Sequence, residues 1–415
     1  MTEEIHRGTE RNMKAYRFRI YPSDAQIRVL ESTLNVCRNL YNAMLQQRIY
    51  AYKSGKKVNY NSQQDEIPEL KNAFPEYRGV HSQVLQDVAG RLDRAYDSFY
   101  RRVKEKKSKA GFPRFKSKDR YNSLTYPQSG FRVLDNGHVM LSKIGEVRMF
   151  MHRPIIGDIK TLSVKRDRVG DWFITITALN GSGIHEVYRN EENLSSATIK
   201  SVGIDLGLKS LITTSEGVHV DPPRFMRKSE SNLKRAQRNL SRKKKGSEKR
   251  ERAKKRVGKI HRKIERQRDD FSHKISKLLI SEHNMIVFEN LNTAGMVKNH
   301  HLAKSIVDAS WNKIVQYTTY KAESAGAMVV LVDPRNTSKK CCNCGNIKEE
   351  LKLSDRIYHC NVCDLTMDRD LNAAINIRNR GIAKVGRGTP EFTPVEIGAL
   401  PKMATPVVEA GSPIR

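Results

Sequence analysis

No run of about 18 apolar residues occurs anywhere in the chain, so nothing in the sequence reads as a bilayer-spanning helix. The opening stretch, MTEEIHRGTERN, is polar and has no apolar core, so it does not read as a secretory signal. Cysteine is scarce. Six in 415 residues are too few for a disulfide framework. Five of them fall between Cys341 and Cys363, which points to a metal site in a reducing compartment. Acidic residues are also short: 45 Asp plus Glu stand against 76 Lys plus Arg, a formal net charge of +31. Charged residues total 29 %, near the usual share, so the imbalance is one of sign. Such a charge opposes compaction unless an anion binds. It argues against a small-molecule enzyme with a neutral surface. It favours a polyphosphate partner, nucleic acid before an anionic membrane. No phosphate-cradling glycine loop and no Ser-His-Asp arrangement is evident. The expected location is the cytoplasm of a prokaryotic cell.

The length allows two or three domains of roughly 100–200 residues each. Residues 13–22, MKAYRFRIYP, alternate and read as a strand ended by Pro22. Ser23-Asp24-Ala25-Gln26 has the form of a capping box. A helix with Ile27, Leu30, Leu34, Cys37, Leu40, Tyr41, Met44 and Leu45 on one face should follow. A second helix is expected from His81 to Lys107, after a polar connection holding Pro68 and Pro75. Beyond Gly111 the pattern turns to short alternating segments: 130–134, 138–141, 146–150, 159–165 and 172–179. They predict a small antiparallel barrel that includes the first strand, with the helices inserted. Residues 181–197 are expected to be a linker. The second half alternates strand and helix, with strands at 201–205, 211–214, 285–288 and 328–332. Residues 224–268 hold 21 Lys/Arg and four Asp/Glu. Apolar stripes on either side of Gly246-Ser247 predict a pair of amphipathic helices there. The second stripe is Val257, Ile260, Ile264, Phe271, Ile275 and Leu278. The stretch 381–415, with five prolines and five glycines, is expected to be disordered.

Three acidic residues stand where chemistry is done. Asp205 ends a strand in SVGIDLGLKS, Glu289 ends one in MIVFEN, and Asp370 opens a helix in MDRDLNAAINI. Strand ends are where an α/β sheet opens to ligands. Three converging carboxylates can hold two Mg²⁺ ions, the arrangement that hydrolyses phosphodiesters. Taken singly, each acid is better explained as a cap or turn residue; Asp368 rivals Asp370, which ranks higher for its D-x-N-A context. The cysteines give a sharper pattern. Cys341-x-x-Cys344 and Cys360-x-x-Cys363, separated by 15 residues, match a four-thiolate structural zinc site. Cys342 lies too close to Cys344 to replace Cys341. Cys37, on an apolar helix face, reads as a packed thiol. His300 and His301 read as loop residues. The aromatic-basic clusters Tyr50–Lys53, Phe99–Lys107 and Phe112–Lys116 fit either base stacking or core.

The segments GIDLGLKSLITTSEG, VFENLN, LAKSIVDASWNKIVQYTTYKAESAG, DPRNTSKKCCNCG and DRDLNAAINI, in this order, resemble the TnpB family. These are transposon-encoded nucleases related to compact type V CRISPR effectors. The resemblance runs from Met13 to Arg380 and is sharpest from residue 200 onward. It implies a RuvC-like nuclease domain with an RNase H-like core at 198–333 and 367–380, carrying the basic helical insertion 224–280 and a zinc-binding segment at 334–366. It also implies a wedge β-barrel at 1–22 and 110–180, interrupted by a helical recognition domain at 23–109. Asp205, Glu289 and Asp370 then occupy the catalytic, Mg²⁺-holding positions. Cys341, Cys344, Cys360 and Cys363 hold one Zn²⁺, and Arg356 is expected to contact phosphate. The implied activity is RNA-guided cleavage of double-stranded DNA beside a short flanking motif, with guide RNA and target DNA as partners. The guide would come from a transposon end or a CRISPR array. Guided DNA binding without cleavage and a transposase or accessory role are the alternatives.

Overall fold

The structure, a computed structural model, describes residues 13–105, 110–179, 200–352 and 354–385. The chain divides into two compact units, one up to Gly183 and one from Ile184 onward. The expected linker at 181–197 lies outside the described residues.

The first unit opens with β1 (Met13–Tyr21). Pro22 stops it, and Ser23 caps α1 (Asp24–Lys53). The capping box is complete: Gln26 N donates to Ser23 Oγ at 3.3 Å, and Ser23 N donates to Gln26 Oε1 at 2.9 Å. The expected polar connection folds instead into α2 (Tyr60–Asp65), α3 (Ile67–Ala73) and α4 (Pro75–Arg78). Pro68 and Pro75 lie in first turns, where a missing N–H costs no helical bond. Helix α5 (Ser82–Lys104) follows. Six further strands come next: β2 (Ser123–Tyr126), β3 (Phe131–Val133), β4 (His138–Leu141), β5 (Gly145–Phe150), β6 (Asp158–Arg166) and β7 (Trp172–Leu179). They join β1 in one antiparallel sheet of order β2-β6-β7-β1-β5-β4-β3. The sheet is nearly closed. Its edge strands are consecutive in the chain, and Tyr126 of β2 donates through its hydroxyl to the Ser142 carbonyl just past β4. The helices and the sheet share a single core, in which Leu40, Leu85 and Leu92 pack with Phe18, Leu162 and Ile174. Cys37 is fully buried in it, which pushes its thiol up to about 12.

The second unit is built on a five-stranded sheet of order β10-β9-β8-β11-β12. Strands β8 (Ser201–Leu206), β9 (Ile212–Thr214) and β10 (His219–Val220) form an antiparallel meander. Two basic helices follow, α6 (Phe225–Ser241) and α7 (Glu248–Glu282), and then β11 (Met285–Glu289), parallel to β8. Helices α8 (Thr293–Met296), α9 (His300–Ala309) and α10 (Trp311–Ala325) lead to β12 (Met328–Val332), parallel to β11. A hairpin of β13 (Ile357–His359) and β14 (Thr366–Asp368) then delivers the chain to α11 (Arg369–Lys384).

Strand side chains alternate between faces, and here the alternation places the chemistry. Val202, Ile204, Ile286 and Phe288 pack with Leu279, Trp311 and Ile314 of α7 and α10. Met285 and Val287 face the other way, towards Ile377 and Ile382 of α11. Gly203 also faces α11. A Cβ there would lie 2.1 Å from the Ala374 carbonyl oxygen. Asp205 and Glu289 continue these two rows by period two. Strand β11 is buried at all five positions, as suits a central parallel strand.

Two boundaries differ from expectation. Helix α11 runs on to Lys384, past the boundary at 380. Gly381 sits inside it because the helix passes within a Cβ's width of Val287; an added Cβ would meet Val287 Cγ2 at 2.4 Å. The apolar stripe of α7 ends on Leu279, which is buried, whereas Leu278 is exposed. Leu279 is the one that packs with Ile286, Phe288 and Trp311.

Candidate functional site

The two parallel strands put the first two acids side by side. Ile204 pairs with Phe288, so Asp205 and Glu289 are the next positions on neighbouring strands. The third acid comes from the helix covering that face. Asp370 lies in the first turn of α11, where carboxylates are favoured by the helix dipole. Its rival Asp368 is occupied otherwise: its Oδ1 accepts from Asp370 N at 2.9 Å and from Leu371 N at 3.0 Å, capping the helix.

Asp205 lies within electrostatic reach of the other two acids. Burial, then the nearby charges of Glu289 and Asp370, push Asp205 up to about 8; Arg369 opposes the rise. Glu289 is buried and is raised by that burial, while a hydrogen bond from Thr337 and the charge of Arg380 hold it back. Thr337 Oγ1 donates to Glu289 Oε1 at 2.5 Å.

The cysteine set is tighter still. The sulfurs of Cys341, Cys344, Cys360 and Cys363 all lie within 4.8 Å of one another, the one such cluster of possible metal ligands among the described residues. Cys341 Sγ is 3.7 Å from Cys363 Sγ, and Cys344 Sγ is 3.6 Å from Cys360 Sγ. A disulfide needs about 2 Å. A tetrahedron with metal–sulfur bonds of about 2.3 Å has edges of about 3.8 Å, so the thiols already span a closed metal site. Backbone N–H groups of Val362 and Cys363 favour the thiolate form of Cys360. Cys342 stands outside the set, its Sγ against Met367 Sδ.

Arg356 is exposed, and its carbonyl accepts from Arg369 N at 2.9 Å, one residue before Asp370. The expectation that His300 and His301 lie in a loop is corrected: they open α9, with Asn299 Oδ1 accepting from His301 N. Asparagine is a strong N-cap, which ends the loop one residue earlier. The basic helices pair antiparallel around the turn at 242–247, where Arg250 donates to the Leu240 and Lys243 carbonyls. Arg252, Arg256, Lys259, Lys263 and Arg266 are exposed at spacings of 4, 3, 4 and 3, one continuous stripe along α7. Arg268, by contrast, is committed to the buried Asp308 at 2.8 Å.

Family comparisons agree with this layout. Residues 185–300 match the OrfB_IS605 model, described as a probable transposase. Residues 311–377 match the TNB domain of Cas12f1-like proteins, and residues 13–57 match the OrfB_IS605 helix-turn-helix domain. A Streptomyces pristinaespiralis protein with the name "Putative RNA-guided DNA endonuclease" is 34 % identical, over 89 % of this chain and 90 % of its own length. The chain belongs to the TnpB family. A second relative, the Escherichia coli (strain K12) protein with the name "Putative RNA-guided DNA endonuclease InsQ", is 29 % identical over 91 % of this chain and 94 % of its own. Among solved structures, a Cas12f1 complex with single-guide RNA and target DNA superposes with a TM-score of 0.54 at 13 % identity, covering 89 % of this chain and 99 % of that one. At that identity the likeness speaks for the fold.

Sequence reasoning missed three residues of this TnpB-family site. Asn372 and Asn376 are buried on α11 and grip the loop that carries Thr337 and Cys341. Two asparagines four apart in an otherwise apolar helix face, LNAAIN, were the available signal. Thr337 offered none, lying in a polar run far in sequence from Glu289. No helix among the described residues is long and apolar enough to cross a membrane.

Proposed function

We propose that this chain is an RNA-guided endonuclease that cuts double-stranded DNA beside a short flanking motif, by two-metal hydrolysis in a RuvC-like site. The class follows from family membership. The observation that carries the chemistry is the placement of Asp205 and Glu289 on neighbouring parallel strands, with Asp370 opening the helix over that face and its charge felt at Asp205. An antiparallel meander followed by two parallel strands, in the order β10-β9-β8-β11-β12, supports an RNase H-like core. In this reading residues 198–333 and 367–384 are the nuclease, 334–366 its zinc-binding segment, 1–22 and 110–180 the wedge barrel, and 23–109 the recognition helices.

The three carboxylates give an all-oxygen donor set of the kind Mg²⁺ takes. The surplus negative field felt by Asp205 is what divalent cations relieve. Held by these residues, two Mg²⁺ ions would activate a water and stabilise the leaving oxygen. The chain's own part is to fix the carboxylates on two strands and one helix, and to present Arg356 to phosphate. The exposed basic stripe of α7 and the net charge of +31 suit RNA and DNA backbones.

The test is cleavage by the protein purified with its native-locus RNA. Wild type plus Mg²⁺ should break a plasmid carrying the RNA-matched target. Glu289→Gln and Asp370→Asn should each lower the rate by about 10³-fold, as expected for lost metal ligands. Cleavage that survives either change sinks the assignment. Absence of both an enriched RNA and cleavage favours the transposase or DNA-binding roles.

The thiol set fits one structural Zn²⁺. Elemental analysis should find one zinc per chain, and Cys360→Ser should remove it and lower the melting temperature of the second unit. A variant that melts like wild type and keeps its zinc would refute the site.

A further inference from the structure

The loop between β12 and the first cysteine pair does more than connect them. Thr337 is 4 % exposed, and its one hydroxyl proton has two acceptors in reach, Glu289 Oε1 at 2.5 Å and the Pro334 carbonyl at 3.0 Å. The shorter contact is to the carboxylate, where a charge-assisted bond is the stronger. Among the described residues this is the hydrogen bond that the Glu289 carboxylate receives. The carboxylate's orientation is therefore set from the loop.

That loop is held from the far side by α11. Asn376 Nδ2 donates to the Thr337 carbonyl at 2.9 Å and to the Lys340 carbonyl at 2.6 Å. Asn372 Nδ2 donates to the same Lys340 carbonyl at 2.8 Å, and Asn372 Oδ1 accepts from Cys342 N at 3.0 Å. Lys340 and Cys342 flank Cys341, one of the four converging thiols. Both asparagines are buried, so these bonds are sheltered from water. A continuous chain of contacts thus runs from Cys341 through residues 337–342 to Glu289, and through Asn372 and Asn376 to the helix that carries Asp370.

We infer that Thr337 is a positioning residue that orients Glu289 for divalent-metal binding and makes that binding depend on the four-cysteine knuckle being formed. The inference rests on the reading of Glu289 as a metal ligand. Residues that orient metal ligands through hydrogen bonds typically affect affinity by about 10–100-fold when removed. Valine has threonine's shape without the hydroxyl. Thr337→Val is therefore expected to weaken binding by about 10-fold, and Thr337→Ser, which keeps the hydroxyl, to stay close to wild type.

The experiment is a Mn²⁺ titration of the full chain, free of RNA, with free Mn²⁺ read by electron paramagnetic resonance and zinc content measured in parallel. Asp205→Asn defines the Mn²⁺ that belongs to the carboxylates. The expected result for T337V is about 10-fold weaker binding at unchanged zinc content, with T337S near wild type. Cleavage should then need correspondingly more Mg²⁺ while its rate at saturating Mg²⁺ changes little. Cys360→Ser should weaken Mn²⁺ binding too, and adding T337V to it should weaken it no further, since both act on one contact. Wild-type affinity in T337V overturns the proposal, and so does T337V that only lowers the melting temperature. Additive losses in the double variant overturn the coupling. If D205N itself leaves the titration unchanged, the carboxylate site falls and not merely the role of Thr337.

Discussion

Asp205→Asn should abolish cleavage and, without divalent metal, make the second unit more stable at alkaline pH. The first effect follows from the proposed metal-holding role of this carboxylate and is expected to reach about 10³-fold. The second follows from linkage. In the folded chain Asp205 is pushed up to about 8, first by burial and then by Glu289 and Asp370. In the unfolded chain it has the ordinary carboxylate value of about 4. A group whose pKa is raised by folding contributes stability that is present below its unfolded value and is lost as pH rises through the folded value. At pH 6 the native carboxyl still carries its proton but the unfolded one has lost it, so about half of the difference between wild type and D205N should already be present. At pH 9 wild type must hold a charge among two others, and D205N need not. The ceiling of the difference is ~5 kcal/mol, and water and the Arg369 guanidinium should reduce it to about 1–3 kcal/mol. Calorimetry at both pH values, with zinc retained and no Mg²⁺ added, reads it directly. Mg²⁺ at pH 9 should raise the melting temperature of wild type far more than that of D205N. Equal melting of the two proteins at pH 9 would contradict the electrostatic account. The same competition between proton and cation predicts that wild type needs more Mg²⁺ for cleavage as pH falls below 8.

Much of this site was legible because it depends on short-range patterns. Strand ends mark Asp205 and Glu289, and the cysteine spacing marks the thiol set. Strands β4, β7 and β12 fall on the residues that alternation or apolar runs predict. What stayed hidden depends on pairing across long stretches of chain. Strand β2, only SLTY between polar neighbours, exists because Leu124 and Tyr126 are buried by the inserted helices and the sheet together. The short helices α2 to α4 looked like a polar connection because they bury few side chains of their own. Asp368 and Asp370 could not be separated by position alone, since both lie at one helix start; the cap bonds separate them. Thr337 meets Glu289 across 48 positions, a contact that no local period encodes.

Gly203 carries the other large expected effect. It was noticeable in SVGIDLG only as a small residue beside an acid, yet the distance between β8 and α11 depends on it. A Cβ at this position would lie 2.1 Å from the Ala374 carbonyl oxygen and 2.5 Å from Arg378 N. Both are backbone atoms in mid-helix and cannot turn away as a side chain can. Gly203→Ala should therefore lift α11 from the sheet, carrying Asp370 away from Asp205 and loosening the grip of Asn372 and Asn376 on the knuckle loop. Overpacking of this kind costs about 3 kcal/mol, at the upper end of the usual range because backbone must move. Gly381 provides the control within the same interface. Its added Cβ would meet Val287 Cγ2 at 2.4 Å and Cγ1 at 2.6 Å, which are side-chain atoms. Gly381→Ala should be rescued in part by Val287→Ala, whereas no side-chain truncation opposite Gly203 removes its clash. Denaturant unfolding of the four variants, with cleavage at saturating Mg²⁺, distinguishes the two cases. If G203A keeps wild-type stability and activity, α11 is free to shift on the sheet, and the three acids are not fixed by its close approach to β8.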